Sequence, residues 1–104
     1  MTSLPKGRPT YCSVDLEALR WNFGQVREKV GRDVKILSVV KANAYGHGAR
    51  QVAAALEKAA SDAFGVATLE EAIELRDTGI RSPILILAGV YPDQLEEIVR
   101  YRLT

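Results

Sequence analysis

Only one cysteine, Cys12, occurs in the chain, so no internal disulfide can form, which fits a reducing compartment. Net charge is nearly absent: fourteen Lys+Arg against thirteen Asp+Glu leave +1. The basic residues are dispersed, so no bulk field favours nucleic acid or an anionic membrane. No run approaches the roughly 18 apolar residues of a membrane span, and residues 1–10 lack the apolar stretch of a signal peptide. His47 is the sole histidine, and nothing near it completes a metal site. Gly46 and Gly48 form neither a Walker loop nor a GxGxxG fingerprint. Sequence repeats, linkers and low-complexity stretches are also missing. A soluble cytoplasmic protein with no nucleic-acid or membrane partner is expected, and 104 residues suit one small domain.

What is present alternates in period. Residues 1–10, with Pro5, Gly7 and Pro9, read as an irregular arm, and residues 11–14 as a short extended segment. Asp15 suits an N-cap, because its carboxylate can accept first-turn N–H groups. Leu16, Leu19, Phe23, Val26 and Val30 then recur on one helical face, with Gly31 as the stop. Residues 34–41 form an apolar, β-branched run, the pattern of a strand buried on both faces. Residues 49–60 predict an alanine-rich helix able to lie close against a sheet, and residues 63–67 a second strand.

Thr68-Leu69-Glu70-Glu71 is a capping box in which hydroxyl and carboxylate satisfy two orphan N–H groups. It opens a helix through Asp77, with Gly79 after its end. Residues 83–88 predict a third buried strand. Asp93-Gln94-Leu95-Glu96 is expected to cap a last helix with Leu95, Ile98 and Val99 inward. Helix followed by three strand–helix units implies a parallel sheet with helices outside. Such sheets close as an eight-stranded barrel or stay open and doubly wound. A full barrel takes about 250 residues, so under that reading the chain is a fragment. It stops where a fourth strand is expected, and truncation is the expectation.

Chemistry concentrates in Ile36-Leu37-Ser38-Val39-Val40-Lys41-Ala42-Asn43-Ala44-Tyr45-Gly46-His47-Gly48. An apolar strand fixes the backbone and ends on Lys41. A partly desolvated amine there loses proton affinity and becomes a usable nucleophile and base, able to hold a carbonyl cofactor as a Schiff base. Tyr45, in the glycine-flanked turn, can donate to a phosphate oxygen or simply pack with its hydroxyl in water. Asn43 is expected to serve the turn, where it tolerates left-handed geometry. His47 reads as a structural hydrogen-bonder, Trp21 as a packing or interface residue, and Glu70 and Glu71 as cap and surface charge.

The ten residues Val39-Val40-Lys41-Ala42-Asn43-Ala44-Tyr45-Gly46-His47-Gly48 resemble the pyridoxal-phosphate attachment signature of alanine racemases. Val14-Asp15-Leu16-Glu17-Ala18-Leu19-Arg20-Trp21-Asn22 is similar to that family's opening helix. Ala63-Phe64-Gly65-Val66-Ala67-Thr68-Leu69-Glu70-Glu71-Ala72 and Pro83-Ile84-Leu85-Ile86-Leu87-Ala88-Gly89 resemble its second and third barrel strands. The resemblance spans residues 11–104 and implies an α/β fold of parallel strand–helix units, part of a (β/α)8 TIM barrel. In the intact family a β-domain follows and the enzyme is a homodimer.

It further implies pyridoxal 5'-phosphate as cofactor, with Lys41 as the attachment residue and one of two bases at the substrate Cα, and Tyr45 as a phosphate ligand. No metal is implied. The implied reaction interconverts L- and D-alanine, an isomerisation that supplies D-alanine for peptidoglycan precursors. The second base, a tyrosine of the partner's C-terminal domain, lies outside this chain, so the 104 residues alone are expected to be inactive. A barrel-type decarboxylase using the same cofactor, which shares the Val-Lys-Ala-Asn part of the run, and a non-enzymatic cofactor-binding protein are the competing readings.

Overall fold

A computed structural model of the protein describes residues 13–104. The arm over 1–10, Tyr11 and Cys12 lie outside the described residues, and Ser13 and Val14 belong to no strand. The elements run α1 (Leu16–Val30), β1 (Leu37–Val39), α2 (Lys41–Tyr45), α3 (Ala49–Lys58), β2 (Ala63–Val66), α4 (Leu69–Thr78), β3 (Ile84–Ile86), a 3-10 turn (Pro92–Gln94) and α5 (Leu95–Arg100). The three strands form one parallel sheet in the order β1-β2-β3. Ser38, Phe64 and Ile84 share a register row, and so do Val39, Gly65 and Leu85.

Alternation along the strands sorts these rows onto two faces. Phe64 and Ile84 point to the helix side and are fully buried, with Val40, Val66 and Leu75 beside them. Burial of each such side chain is worth roughly 1.5–3 kcal/mol. Ala49, Ala53 and Ala55 let α3 approach closely, as its composition predicts. The opposite face differs from expectation. Leu37 and Val39 are 39% and 38% exposed and Leu87 48%, because no described element covers that side. β1 is therefore buried on one face rather than two. Gly65 belongs to this open face, and a Cβ on it would come within 2.8 Å of Leu37 Cδ2 and 3.2 Å of Leu87 Cδ1.

Helix ends follow the local signals. Asp15 Oδ1 accepts the N–H groups of Glu17 and Ala18 at 3.0 and 3.2 Å, and Gly31, at φ 82°, ends α1. The Thr68 capping box is formed. The apolar face of α1 is only half used. Phe23 is buried and Leu16 and Leu19 pack on the core, but Val26 and Val30 remain exposed. Over the last turns Arg27 makes the inward contact instead, donating to Val34 O at 2.6 Å and to Asp62 Oδ2 at 2.7 Å. Trp21 is 66% exposed and packs on nothing in the core.

The last helix also departs from expectation. Ile98 and Leu103 pack against the core, whereas Leu95 and Val99 face outward, since α5 is only six residues long and turns one narrow face inward. Asp93 does not cap it; Gln94 Oε1 accepts the Tyr91 N–H at 3.0 Å. Beyond α5, Arg76 donates to the carbonyls of Tyr101, Arg102, Ile80 and Ser82 and ties the chain back to α4. Thr104 then bridges the open edge of β3, its N–H on Ile84 O and its carbonyl accepting Ile86 N–H, both at 2.9 Å. That is a parallel-ladder position, where a fourth strand is expected.

Candidate active site at the carboxyl edge of the sheet

The last ladder bond of β1 runs from Val40 N–H to Gly65 O at 2.8 Å. Lys41 follows at once, half-buried, at the carboxyl edge of the parallel sheet. In parallel α/β architectures this edge gathers the strand-to-helix loops and carries the chemistry. Among the described residues the ion pairs are Arg20–Glu17, Arg27–Asp62 and Arg50–Glu74, so no carboxylate pairs with the Lys41 amine.

The turn after Lys41 has an unusual backbone. Ala42, Asn43 and Ala44 lie at φ 52–56° and ψ 45–46°, and Tyr45 has φ 54°. These four residues make one turn of left-handed helix, and Gly46 continues it at φ 88°. For L-residues the left-handed form costs on the order of 1–2 kcal/mol each and is ordinarily visited singly. Such a run persists only where its surroundings over-determine it.

The surroundings do so here. Ala44 is buried and its N–H bonds Val40 O at 2.9 Å, while Gly48 N–H bonds Asn43 O at 2.9 Å. Asn43 Oδ1 accepts the N–H of Ala49, the first residue of α3, at 2.8 Å. A His47 ring nitrogen, Nδ1, lies 3.0 Å from Ala44 O, so the histidine braces the turn. Asn43 and His47 thus take the structural parts read from the sequence. Among the described residues no cluster of His, Cys, Asp or Glu could hold a metal ion.

Tyr45, the last of these four residues, is 62% exposed. It flanks a cleft of about 420 Å³ between the start of α1 and α2, which Val39, Ala44, Leu19 and Asp15 also line. Lys41 and Tyr45 therefore stand at opposite ends of one braced turn, an amine on the sheet edge and a phenol at the surface.

One residue of this site has a second role. Glu71 was expected to cap α4, and its Oε1 does accept from Ala67 N–H at 2.7 Å and Thr68 N–H at 3.2 Å. Its Oε2, however, accepts the N–H of Ala42 at 2.8 Å, across to the residue after Lys41. The available signal was topological: in a parallel sheet, the capping residue after β2 lies beside the carboxyl end of its neighbour β1.

Fold and edge together define the opening strand–helix units of a TIM-type barrel, with an amine at the face where barrel chemistry is placed. Relatives and solved structures agree on that class. Alanine racemase 1 of Caldanaerobacter subterraneus subsp. tengcongensis is 53% identical over 97 residues, which are 93% of this chain and 25% of that protein. Alanine racemase of Geobacter sulfurreducens is 50% identical over 97 residues, with the same shares. The crystal structure of alanine racemase from Bacillus anthracis with bound L-Ala-P superposes with a TM-score of 0.90 at 37% identity, covering 96% of this chain and 26% of that one. Clostridium difficile 630 alanine racemase in complex with cycloserine gives 0.82 at 41% identity, covering 85% and 24%. Residues 14–104 match the family described as alanine racemase, N-terminal domain, and the chain belongs to that family. It spans about a quarter of the length of the curated relatives it matches.

Proposed function

We propose that residues 11–104 are the cofactor-anchoring part of a pyridoxal-phosphate-dependent alanine racemase, with Lys41 as attachment residue and Cα base and Tyr45 as phosphate ligand. The observation that carries the reading is the placement of Lys41, half-buried at the end of β1 and followed by a strained, over-braced turn. The residues suit the group: a primary amine for an aldehyde carbon, and an exposed phenol for a phosphate oxygen. When bound, pyridoxal phosphate delocalises the charge that develops at the substrate Cα as its proton leaves.

The parts played by the chain's own groups follow from position. β1 fixes the Lys41 backbone on one side and the left-handed turn fixes it on the other, so the amine swings only through its own side chain. With the cofactor bound, the Lys41 amine would serve as its anchor and, when free, would take or return a proton at the substrate Cα. Tyr45 donates its hydroxyl to a phosphate oxygen and holds the far end of the cofactor. Inversion needs a second acid/base on the opposite face, and we assign that group to the part of the family's length outside this chain.

Alanine as substrate draws support from the relatives' names and from the L-Ala-P and cycloserine complexes of two of them. The family resemblance likewise supports a homodimer in the cytoplasm that supplies D-alanine for peptidoglycan precursors. Among the described residues no helix is long and apolar enough to cross a membrane.

The test uses the full-length protein carrying this sequence, alanine and D2O. Deuterium entry at Cα with formation of the other enantiomer and no release of carbon dioxide is expected. Carbon dioxide release would make the protein a decarboxylase, and cofactor binding with neither reaction would make it a carrier. The 104 residues alone are expected to show no turnover; measurable racemisation by the purified chain would contradict the division of the site proposed above.

A further inference from the structure

We propose that Glu71 is the positioning residue of the site, holding the Lys41 backbone through the N–H of Ala42; the inference rests on the reading of Lys41 given above. Three observations carry it. First, a capping box needs one carboxylate oxygen, and Oε1 fills that need alone, with Ala67 and Thr68 as donors. Second, Oε2 spends its bond on Ala42, 29 residues earlier in the chain, at 2.8 Å. Third, Ala42 is where the backbone enters the left-handed region, so its N–H is the first polar group of the strained turn.

The physical consequence concerns Lys41 rather than α4. Val40 N–H on Gly65 O anchors the lysine backbone from the strand side. Ala42 N–H on Glu71 anchors it from the turn side, and the acceptor is charged, which makes the bond roughly twice as strong as a neutral one. The carboxylate also spans two strand-to-helix loops, since Ala67 and Thr68 follow β2 while Ala42 follows β1. Losing the second anchor would let the turn relax toward ordinary backbone and carry the amine with it. Displacement of a reacting group by about 1 Å can cost about a hundredfold in rate.

Glu71→Gln and Thr68→Ala separate this role from capping. The glutamine keeps one oxygen for Ala67 and Thr68 but turns an amide NH2 on the Ala42 N–H. Thr68→Ala removes the other half of the capping box, in which Thr68 Oγ1 accepts Glu71 N–H, and leaves the Ala42 bond in place. Glu71→Asp, one methylene shorter and still a first-turn acid, is the second variant should the glutamine fold poorly.

The measurement is amide hydrogen exchange of the peptide covering residues 41–46 in the cofactor-free full-length protein, followed by kcat and KM for alanine. For Glu71→Gln we expect exchange to quicken about tenfold and kcat to fall about ten- to hundredfold, with KM little changed. Thr68→Ala should leave both near wild type. Equal exchange and equal kcat in the two variants would overturn the proposal and leave Glu71 a cap. If instead the wild-type protein neither labels at Lys41 nor exchanges the Cα proton, the reading of Lys41 itself fails. Changed exchange in Glu71→Gln would then record only a braced turn, and the positioning role would fall with that reading.

Discussion

The side-chain oxygen of Asn43 accepts the backbone N–H of Ala49 at 2.8 Å, so a residue of the left-handed turn also caps the helix that follows it. Gly48, at the N-cap position of α3, has no side chain to do this. Asn43→Ala removes the acceptor and also the residue type that best tolerates φ 55°. A loss of about 1–2 kcal/mol is expected, read as a lower urea midpoint with unchanged slope in the full-length protein. Asn43→Asp, which keeps the acceptor, should recover most of it.

Acid sensitivity is predicted from two carboxylates away from the site. The Ile36 N–H, and next the Arg27 guanidinium, hold Asp62 below the usual carboxylate range. Burial pushes Glu57 upward, but the N–H groups of Ser82 and Arg81 and the Ser82 hydroxyl outweigh it and leave its carboxyl lowered. A depressed folded pKa contributes stability that is fully present above the unfolded value, about 4, and is lost as pH falls through the folded value. Thermal midpoints should therefore drop as pH falls below about 4. Asp62→Asn and Glu57→Gln should each lower the midpoint at pH 7 and flatten the acid limb. An acid limb unchanged in both variants would contradict the assignment.

Much of this architecture is legible in the sequence, and the misses have physical causes. Asp15, Gly31 and the Thr68–Glu71 box act through bonds of two to four residues' reach, so their signals are local and their helices begin and end where expected. The outward faces of Leu37, Val39, Val26, Leu95 and Val99 were not legible. Apolar pattern reports which side chains favour burial, not whether a neighbouring element is there to cover them. For the site, Lys41 at a strand end and Asn43 in a turn followed from residue type. The left-handed conformation of Ala42 and Ala44 did not, because alanine carries no preference for it. Nor did the bond from Glu71 to Ala42, which depends on two loops meeting.

Tyr45 gives a graded test of the phosphate assignment. Tyr45→Phe keeps the ring and the turn but loses the hydroxyl. A single hydrogen bond to a charged acceptor is worth roughly 1.5–3 kcal/mol. The dissociation constant of pyridoxal phosphate from the full-length protein should therefore rise roughly ten- to a hundredfold, as followed by equilibrium dialysis. Retention equal to wild type would return Tyr45 to the reading of a surface phenol.

The most direct test of the account is to reduce the full-length protein with borohydride in the presence of pyridoxal phosphate and map the modified lysine by mass spectrometry. The phosphopyridoxyl group is expected on Lys41 and on no other lysine of the chain, and Lys41→Ala should abolish it. A label that sits on a different lysine, or that survives Lys41→Ala, would contradict the central claim.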